Sequence, residues 1–236
     1  MQTKQNEIPA NEQGFFNLMS LAITALVALP VGIACLVLGF GLGDNPCVMC
    51  WAERITMIAI SLIALFIIRY GLKPSYLAAL LLMACWGIFN GFIHYSLDGT
   101  FGGYLDIKQG FGLEILGAHT QLWVMVVDFC VIIFLAFIFL FSKNLGLIMQ
   151  KSSNGEYGDF LSYLPLGKFA NLVFIVIILA NCVQAFIASG PPPYLGSSTP
   201  PRMSIDPSKW FWEKDHWDSS LDFRFDWNPE LPDLAK

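Results

Sequence analysis

Residues 17–41 read NLMSLAITALVALPVGIACLVLGFG, and this uncharged run decides the fold class. No residue ionises between Glu12 and Asp44. A helix needs only about 20 apolar residues to cross a hydrocarbon core of roughly 30 Å. Comparable runs predict further transmembrane helices near residues 51–70, 75–97, 120–142 and 169–189. We therefore expect five membrane-spanning helices.

The composition of the whole chain agrees with a membrane protein and excludes other classes. Hydrophobic residues make up 56% and charged residues 13% of the 236 residues, whereas soluble domains carry about 25% charged residues. Mean hydropathy is +0.59. The net charge of −5 provides no basic surface for nucleic acid, so we expect no nucleic-acid partner. The prediction is an all-α integral membrane protein that contacts lipid.

Lysine and arginine in the short loops predict the orientation, because cytoplasmic loops are enriched in these residues. Arg69 and Lys73 lie between the second and third spans, and three lysines lie in 143–168, whereas 42–50 has no basic residue. This predicts a cytoplasmic N-terminal segment 1–16, a bundle at 17–142 with outward loops 42–50 and 98–119, a cytoplasmic loop 143–168, a fifth span 169–189 and an outward tail 190–236.

Two cysteines, Cys47 and Cys50, lie at the predicted outward end of the second span with two residues between them. On the outer side of a membrane such a pair can form a disulfide and remain oxidised. Alternatively, the two residues are small packing residues at a helix end, or half of a metal site. A metal site needs a second Cys or His pair, and the histidines are scattered at His94, His119 and His216. We therefore predict no metal.

Arg54 follows Cys50 by four residues, which places both on one face of a helix. The apolar run 55–68 is only about 21 Å long as a helix, so the second span must include residues 50–54. A cation one turn from a thiol stabilises its thiolate. The alternative for Arg54 is an anchor that extends to the membrane interface. Glu53 points elsewhere, and we interpret it as a solvated cap or a structural partner.

The segment Asn45-Pro46-Cys47-Val48-Met49-Cys50-Trp51-Ala52-Glu53-Arg54 resembles the DsbB family, the quinone-reducing disulfide catalysts of bacterial inner membranes. His94, near the outward end of the third span, lies where that family keeps a quinone-site histidine. The resemblance covers about residues 17–142, and it implies a four-helix bundle. The fifth span and tail segments such as Gly190-Pro191-Pro192-Pro193-Tyr194 look closer to the DsbI-like branch.

The resemblance also implies roles for the site residues. Cys47 and Cys50 would form the redox-active disulfide, with Cys47 exchanging disulfides and Cys50 facing a quinone, ubiquinone or menaquinone, as a thiolate. Arg54 and His94 would hold the quinone. The implied partner is a periplasmic thioredoxin-like thiol oxidase or another dithiol protein, and the implied location is the bacterial inner membrane, with the N-terminus inside and the C-terminus outside.

The chain departs from the better-known family members in its cysteines. Their second cysteine pair lies in the outer loop between spans three and four, and residues 98–119 contain no cysteine. Lone cysteines within membrane spans are usually inert packing residues, and this is our interpretation of Cys35, Cys85, Cys130 and Cys182. The missing pair leaves a second function open: a non-catalytic DsbB-like structural subunit of a larger membrane complex.

Two further titratable residues are candidates for moving protons. His119 changes charge near neutral pH and can carry protons between the quinone and water, although it can instead cap the fourth span. Asp128 lies about 12 Å deeper by helical rise. A carboxylate at that depth needs a partner or a proton, so proton relay and structural hydrogen bonding both remain open.

The predicted loop and tail on the outward side carry apolar side chains. In that loop, one face of a predicted short helix along the membrane surface is formed by Ile107, Phe111, Leu113 and Leu116. The tail contains eight of the 13 prolines together with Trp210, Trp212, Trp217 and Trp227. Disordered segments are poor in aromatic residues. We therefore expect the tail to dock, either on the bundle or on a partner in a membrane complex.

Overall fold

The computed structural model describes residues 10–97, 114–141, 145–157, 164–190 and 204–206. Helix α1 (Ala10–Leu26) continues directly into a π-helix (Val27–Gly41). The later helices are α2 (Val48–Tyr70), α3 (Pro74–Leu97), α4 (Thr120–Phe141), α5 (Leu145–Ser153) and α6 (Pro165–Ser189). Two short antiparallel strands, β1 (Glu114–Ile115) and β2 (Ala118–His119), precede α4.

Five of these helical segments are long and apolar enough to cross a membrane, which confirms the predicted all-α membrane fold. They cover residues 12–41, 48–70, 74–96, 120–140 and 165–188. The first helix begins at Ala10, earlier than the predicted residue 17. Glu12 lies in the first turn of the helix, where negative charge is favourable, and it is buried with hydrogen-bond partners distant in sequence, so the helix extends beyond the uncharged run.

Helix α2 is the central helix of the bundle. It packs against α1, the π-helix, α3, α4 and α6. In its most apolar window 56% of the residues are buried, against 33% or less in each of the other spans. Large apolar side chains on the other helices point outward, as expected for surfaces that face lipid, including Leu29, Leu82, Phe137, Leu140 and Leu179.

Close packing between the first and last spans depends on two glycines of the π-helix. A Cβ atom at Gly39 would collide with the side chain of Gln184 on α6, and one at Gly32 would lie 3.2 Å from Cδ1 of Ile177. Small residues allow helix backbones to approach in membranes. The same segment contains Pro30, which lacks an N–H and disturbs regular α-helical bonding at this point. The absence of side chains at the two glycines therefore lets the first and last spans pack as neighbours.

One end of the bundle, which we call the lysine end, is held together by polar contacts of α5 and the turn after it. Lys151 Nζ donates to Glu12 Oε1 at 2.6 Å, and Tyr157 Oη donates to Glu12 Oε2 at 2.8 Å. Ser152 Oγ accepts from the backbone N–H of Leu72 at 2.8 Å. Burial, followed by the hydrogen bond to Glu12, raises the pKa of Tyr157. These contacts tie α5 to the start of α1 and to the α2–α3 connection.

Several predicted segments lie wholly or partly outside the described residues. These are the N-terminal segment 1–16, the loop 98–119, the loop 143–168 and the tail 190–236. Three residues of the predicted surface helix, Ile107, Phe111 and Leu113, lie outside the described residues, and at Leu116 the helix prediction is wrong. Residues 114–119 form a hairpin, because Leu116 and Gly117 adopt φ angles of 53° and 77° and so make a two-residue turn.

Candidate functional site

Cys47 and Cys50 form a disulfide at the end of the bundle opposite the lysine end, which we call the cysteine end. Cys47 is the N-cap of α2, with extended backbone, and its Sγ accepts a hydrogen bond from the backbone N–H of Cys50 at 3.1 Å. Cys47 is buried and Cys50 is half-buried. A helix N-terminus favours negative charge, so this position supports sulfur that becomes a thiolate.

His94 connects the disulfide to a buried carboxylate. Its Nε2 lies 3.4 Å from Cys47 Sγ, and its Nδ1 lies 2.8 Å from Glu53 Oε1. His94 is 1% exposed and Glu53 is 3% exposed. An ionised carboxylate only accepts hydrogen bonds, so Nδ1 of His94 carries a proton and donates to Glu53. The other ring nitrogen, Nε2, then faces the sulfur of Cys47. Cys47, His94 and Glu53 thus form a continuous polar chain.

The position of Glu53 corrects one sequence-based interpretation. A solvated cap is wrong, because the carboxylate is buried between α2 and α3 and contacts His94. The structural-partner alternative holds, and the contact also links Glu53 to the cysteines. Sequence reasoning missed this contact because the two residues are 41 positions apart. The available signal was an acid at the start of an apolar span, where an unpaired charge is unfavourable.

Arg54 lies inside the protein rather than at the membrane interface, and it is 7% exposed. Its Nη1 donates to Gln184 Oε1 at 2.6 Å and to Asn181 Oδ1 at 3.4 Å, and its Nη2 donates to the carbonyl of Ala34 at 3.0 Å. The guanidinium carbon lies 5.0 Å from the centroid of the Trp51 ring. Arg54 therefore joins α2, the π-helix and α6, and it is not the snorkelling anchor of the alternative interpretation.

The two amides that hold Arg54 were not predicted. Asn181 and Gln184 stand three residues apart on α6, and this spacing of polar residues on one face of an apolar span was the available signal. Asn181 Nδ2 donates to the carbonyl of Ile177 at 2.8 Å, which orients Oδ1 toward Arg54. Gln184 Nε2 is buried and has no hydrogen-bond partner among the described residues. This leaves one donor unused beside the arginine.

Asp128 lies deeper in the bundle, on α4, and is fully buried. Both carboxylate oxygens lack a hydrogen-bond partner among the described residues. Its side chain packs against Gly87 of α3, where a Cβ atom would collide with it. It also lies within electrostatic range of Glu53. His119 is partly buried in β2, directly before α4, and its predicted proton relay stays a prediction.

The four other cysteines are free thiols. Cys85, Cys130 and Cys182 are exposed on their helices, and Cys35 is buried in the π-helix within electrostatic range of Arg54. The structure thus brings together Cys47, Cys50 and His94, adds Glu53 to them, and places Arg54 with the amides of α6.

Comparison with known proteins gives one match. The family model described as Disulfide bond formation protein DsbB matches residues 16–182. The match extends past residue 142 and includes α5 and most of α6, so it is wider than the four-span region that the sequence resemblance covered. Within this extent, α6 packs against α1, and Asn181 of α6 contacts Arg54. No curated protein and no solved structure matches the chain.

Proposed function

The chain belongs to the DsbB family of disulfide bond formation proteins, and from this premise we propose that it is a membrane thiol:quinone oxidoreductase. It would take electrons from a dithiol protein on the periplasmic side of a bacterial inner membrane and pass them to a quinone. The observation that carries the proposal is the disulfide Cys47–Cys50 in contact with the buried pair His94 and Glu53.

The first stage is thiol–disulfide exchange with the partner. A partner thiolate attacks Cys47 Sγ, a mixed disulfide forms, the Cys47–Cys50 bond breaks, and Cys50 leaves as a thiolate. The partner's second thiolate then attacks the partner sulfur of the mixed disulfide and releases Cys47. The partner has lost two electrons and gained a disulfide, and the pair Cys47 and Cys50 has gained the two electrons.

His94 and Glu53 manage the proton at Cys47. With Nδ1–H donated to Glu53, neutral Nε2 faces Cys47 Sγ at 3.4 Å in the disulfide form, and it would take up a proton that reaches this sulfur after release, so that Cys47 stays a thiolate. Glu53 then stabilises the imidazolium that results, as the buried acid does in catalytic triads. Asp128, within electrostatic range of Glu53, and His119 would extend this path for protons, as the sequence suggested.

The residues around Arg54 fit a quinone, whose two carbonyl oxygens accept hydrogen bonds. Gln184 Nε2 and Trp51 Nε1 are buried donors with no partner among the described residues, and they flank Arg54 through contacts with it. When bound there, the quinone would supply the two-electron oxidant that returns the cysteines to the disulfide. Arg54 would offset negative charge near the Cys50 thiolate, and His94 would hydrogen-bond a quinone oxygen.

The loops and the cysteines support our proposal for the partner and for the side of the membrane that it meets. Residues 98–119 contain no cysteine, so we propose that the partner, a thioredoxin-like thiol oxidase or another dithiol protein, meets Cys47 and Cys50 directly. The positive-inside pattern supports the proposal that the cysteine end faces the periplasm and the N-terminus faces the cytoplasm. The fifth span ends at the cysteine end, so its tail would start on the partner's side of the membrane. Assignment to the DsbI-like branch stays a prediction.

The proposal is tested with the purified full chain in detergent. A dithiol substrate and a soluble ubiquinone or menaquinone analogue are added, and quinone absorbance and the redox state of the cysteines are followed together. Cys50→Ser should abolish quinone reduction, and Arg54→Ala should weaken it. Cys130→Ser removes an exposed thiol on α4 and serves as the matched control, with activity unchanged.

The opposite result would replace the proposed function. If the wild-type pair stays reduced beside an unreduced quinone, under conditions where the protein is folded, the chain is not this enzyme. A non-catalytic subunit of a membrane complex would then be the better explanation. The next measurement would be whether deletion of the tail 190–236 releases a partner from the purified complex.

A further inference from the structure

We propose that the reduced form of the site binds one zinc ion, or a similar divalent transition metal, through Cys47, Cys50 and His94. Among the described residues, the Sγ atoms of the two cysteines and a ring nitrogen of His94 all lie within 4.8 Å of one another. The inference rests on the proposed function only in that substrate dithiols are what reduce the pair in the cell.

The three groups are the ligands that zinc prefers. Two thiolates and one imidazole, with the fourth position open, are a known catalytic zinc set. Ligand atoms around a tetrahedral zinc ion lie roughly 3.5–3.8 Å apart, given Zn–S and Zn–N bonds of about 2.3 and 2.0 Å. The observed separation of Cys47 Sγ and His94 Nε2, 3.4 Å, is already close to that spacing. Opening the disulfide lets Cys50 Sγ move to the third position.

Glu53 provides the outer contact that metal-binding histidines usually have. Its Oε1 lies 2.8 Å from His94 Nδ1, so the carboxylate fixes the ring and leaves Nε2 as the metal ligand. Such carboxylate–histidine–zinc arrangements raise the basicity of the ligand, and loss of the carboxylate typically weakens metal binding 10–100-fold. Glu53 and His94 are both buried, so the arrangement is shielded from water.

The fold removes the sequence argument against a metal. A metal was not predicted because a second Cys or His pair is missing and the histidines are scattered, with His94 47 positions from Cys47 along the chain. Packing of α3 against α2 places His94 beside Cys47. The predicted absence of a metal therefore depended on chain distance, which helix packing cancels.

Metal binding at this site depends on the redox state. The disulfide has no thiolate to offer, whereas the reduced pair loses two protons and supplies two negative charges to a divalent ion. No electron is transferred in this step. Bound metal ties up both sulfurs, so it stops disulfide exchange and electron delivery to the quinone. The site would thus make the enzyme sensitive to zinc only during turnover, between reduction by the partner and reoxidation.

The test uses the full-length protein in detergent without any quinone. The chain is reduced, freed of reductant without air, and titrated with Zn²⁺ against a coloured chelator. Co²⁺ is used in parallel, because cobalt–thiolate and tetrahedral cobalt absorption report the ligands. We expect one tightly bound ion per reduced chain and none in the oxidised chain. His94→Ala should weaken binding at least tenfold, and Glu53→Gln about tenfold or more.

The control is Cys130→Ser, which leaves the three ligands in place and should bind as the wild type does. Equal binding by reduced and oxidised chains, or wild-type affinity in His94→Ala and in Cys47→Ser, would overturn the proposal. Circular dichroism confirms that each variant is folded. The outcome is independent of the proposed function. If the chain binds zinc but never reduces quinone, only the oxidoreductase proposal is wrong. If it reduces quinone without binding zinc, only the metal-site proposal is wrong.

Discussion

The cysteine end and the lysine end of the bundle each bury a glutamate, and they differ in what that glutamate contacts. Glu12 is 2% exposed and accepts from Lys151 and Tyr157. Glu53 is 3% exposed and contacts His94, which in turn contacts Cys47. The same type of side chain, a buried glutamate, therefore has two different environments in this bundle.

The difference separates a structural contact from a chemical one. Lysine keeps its charge at neutral pH, so the contact between Lys151 and Glu12 holds helices together without moving a proton. The contact between Glu53 and His94 continues to a sulfur, because Nε2 of His94 lies 3.4 Å from Cys47 Sγ, so it can change with the state of that sulfur. Variants at the two ends should therefore affect different measurements, activity at one and stability at the other.

Glu53→Gln should have the largest effect, and that effect should fall on activity. The amide keeps the size of the side chain but cannot stabilise a histidine cation. We expect quinone reduction to fall about 100-fold, in the range of general acid–base contributions. Stopped-flow measurement across pH 5–9 checks it. A variant that only shifts the unfolding temperature, with unchanged turnover and pH profile, would place Glu53 in the same class as Glu12.

Lys151→Met should have the next largest effect, and it should fall on stability. It leaves Glu12 buried with Tyr157 as its one side-chain donor among the described residues, which costs about 2 kcal/mol. Thermal unfolding in detergent should occur at a lower temperature. Quinone reduction, measured well below that temperature, should match the wild type. Lost activity in a chain shown to be folded would mean that the two ends are coupled.

Gly39→Ala tests the part of the cysteine end that α6 supplies. The added methyl group would collide with Gln184 and disturb its hydrogen bond to Arg54. We expect about tenfold weaker quinone binding, equivalent to roughly 1.4 kcal/mol. Quenching of tryptophan fluorescence by a quinone analogue, on the oxidised protein, measures this binding without turnover.

Gly32→Ala is the matched control for that variant. It lies in the same π-helix and presses on Ile177 rather than on Gln184. We expect its quinone affinity to stay within about twofold of the wild type. Equal losses in both variants would show that general crowding between the first and last spans, not the position of Gln184, sets the affinity.

Tyr157→Phe should have the smallest effect. It removes one hydrogen bond to Glu12, worth about 1 kcal/mol, and leaves Lys151 in place. Because folding raises the pKa of Tyr157, its neutral hydroxyl contributes stability in full below the ordinary tyrosine pKa of about 10. This contribution is lost as pH rises above that value. Wild-type unfolding temperature should therefore fall above pH 10 more steeply than that of the variant. Parallel curves would contradict this assignment.

The spans and the cysteines were predictable because they depend on local properties. Length and hydropathy found the five spanning segments present among the described residues, and residue spacing with the resemblance predicted Cys47, Cys50 and Arg54 as site residues. His94 was predicted from the resemblance and from its place as an ionisable residue within a span. Each of these signals is contained within one short segment of the sequence.

The polar contacts were not predictable, because each joins residues far apart in the chain. Glu12 contacts Lys151 across 139 positions, so its inclusion in the first span could not be read from its neighbours. The burial of Glu53 depends on its contact with His94. The position of Gln184 depends on its hydrogen bond with Arg54 and on the absence of a side chain at Gly39. Local patterns show that a polar residue in a membrane span requires a partner, but packing decides which partner it finds.

The hydrogen bonds between Arg54 and the amides of α6 have a consequence for biosynthesis. The side-chain partners of Arg54 on α6 lie 127 and 130 positions later in the chain, and translation supplies them after the other four spans have been made. Until α6 inserts, Arg54 has only the carbonyl of Ala34 and the Trp51 ring among these contacts. A nascent chain therefore carries its cysteines in the membrane well before its arginine is fixed. Assembly of the last helix becomes the step that completes the site.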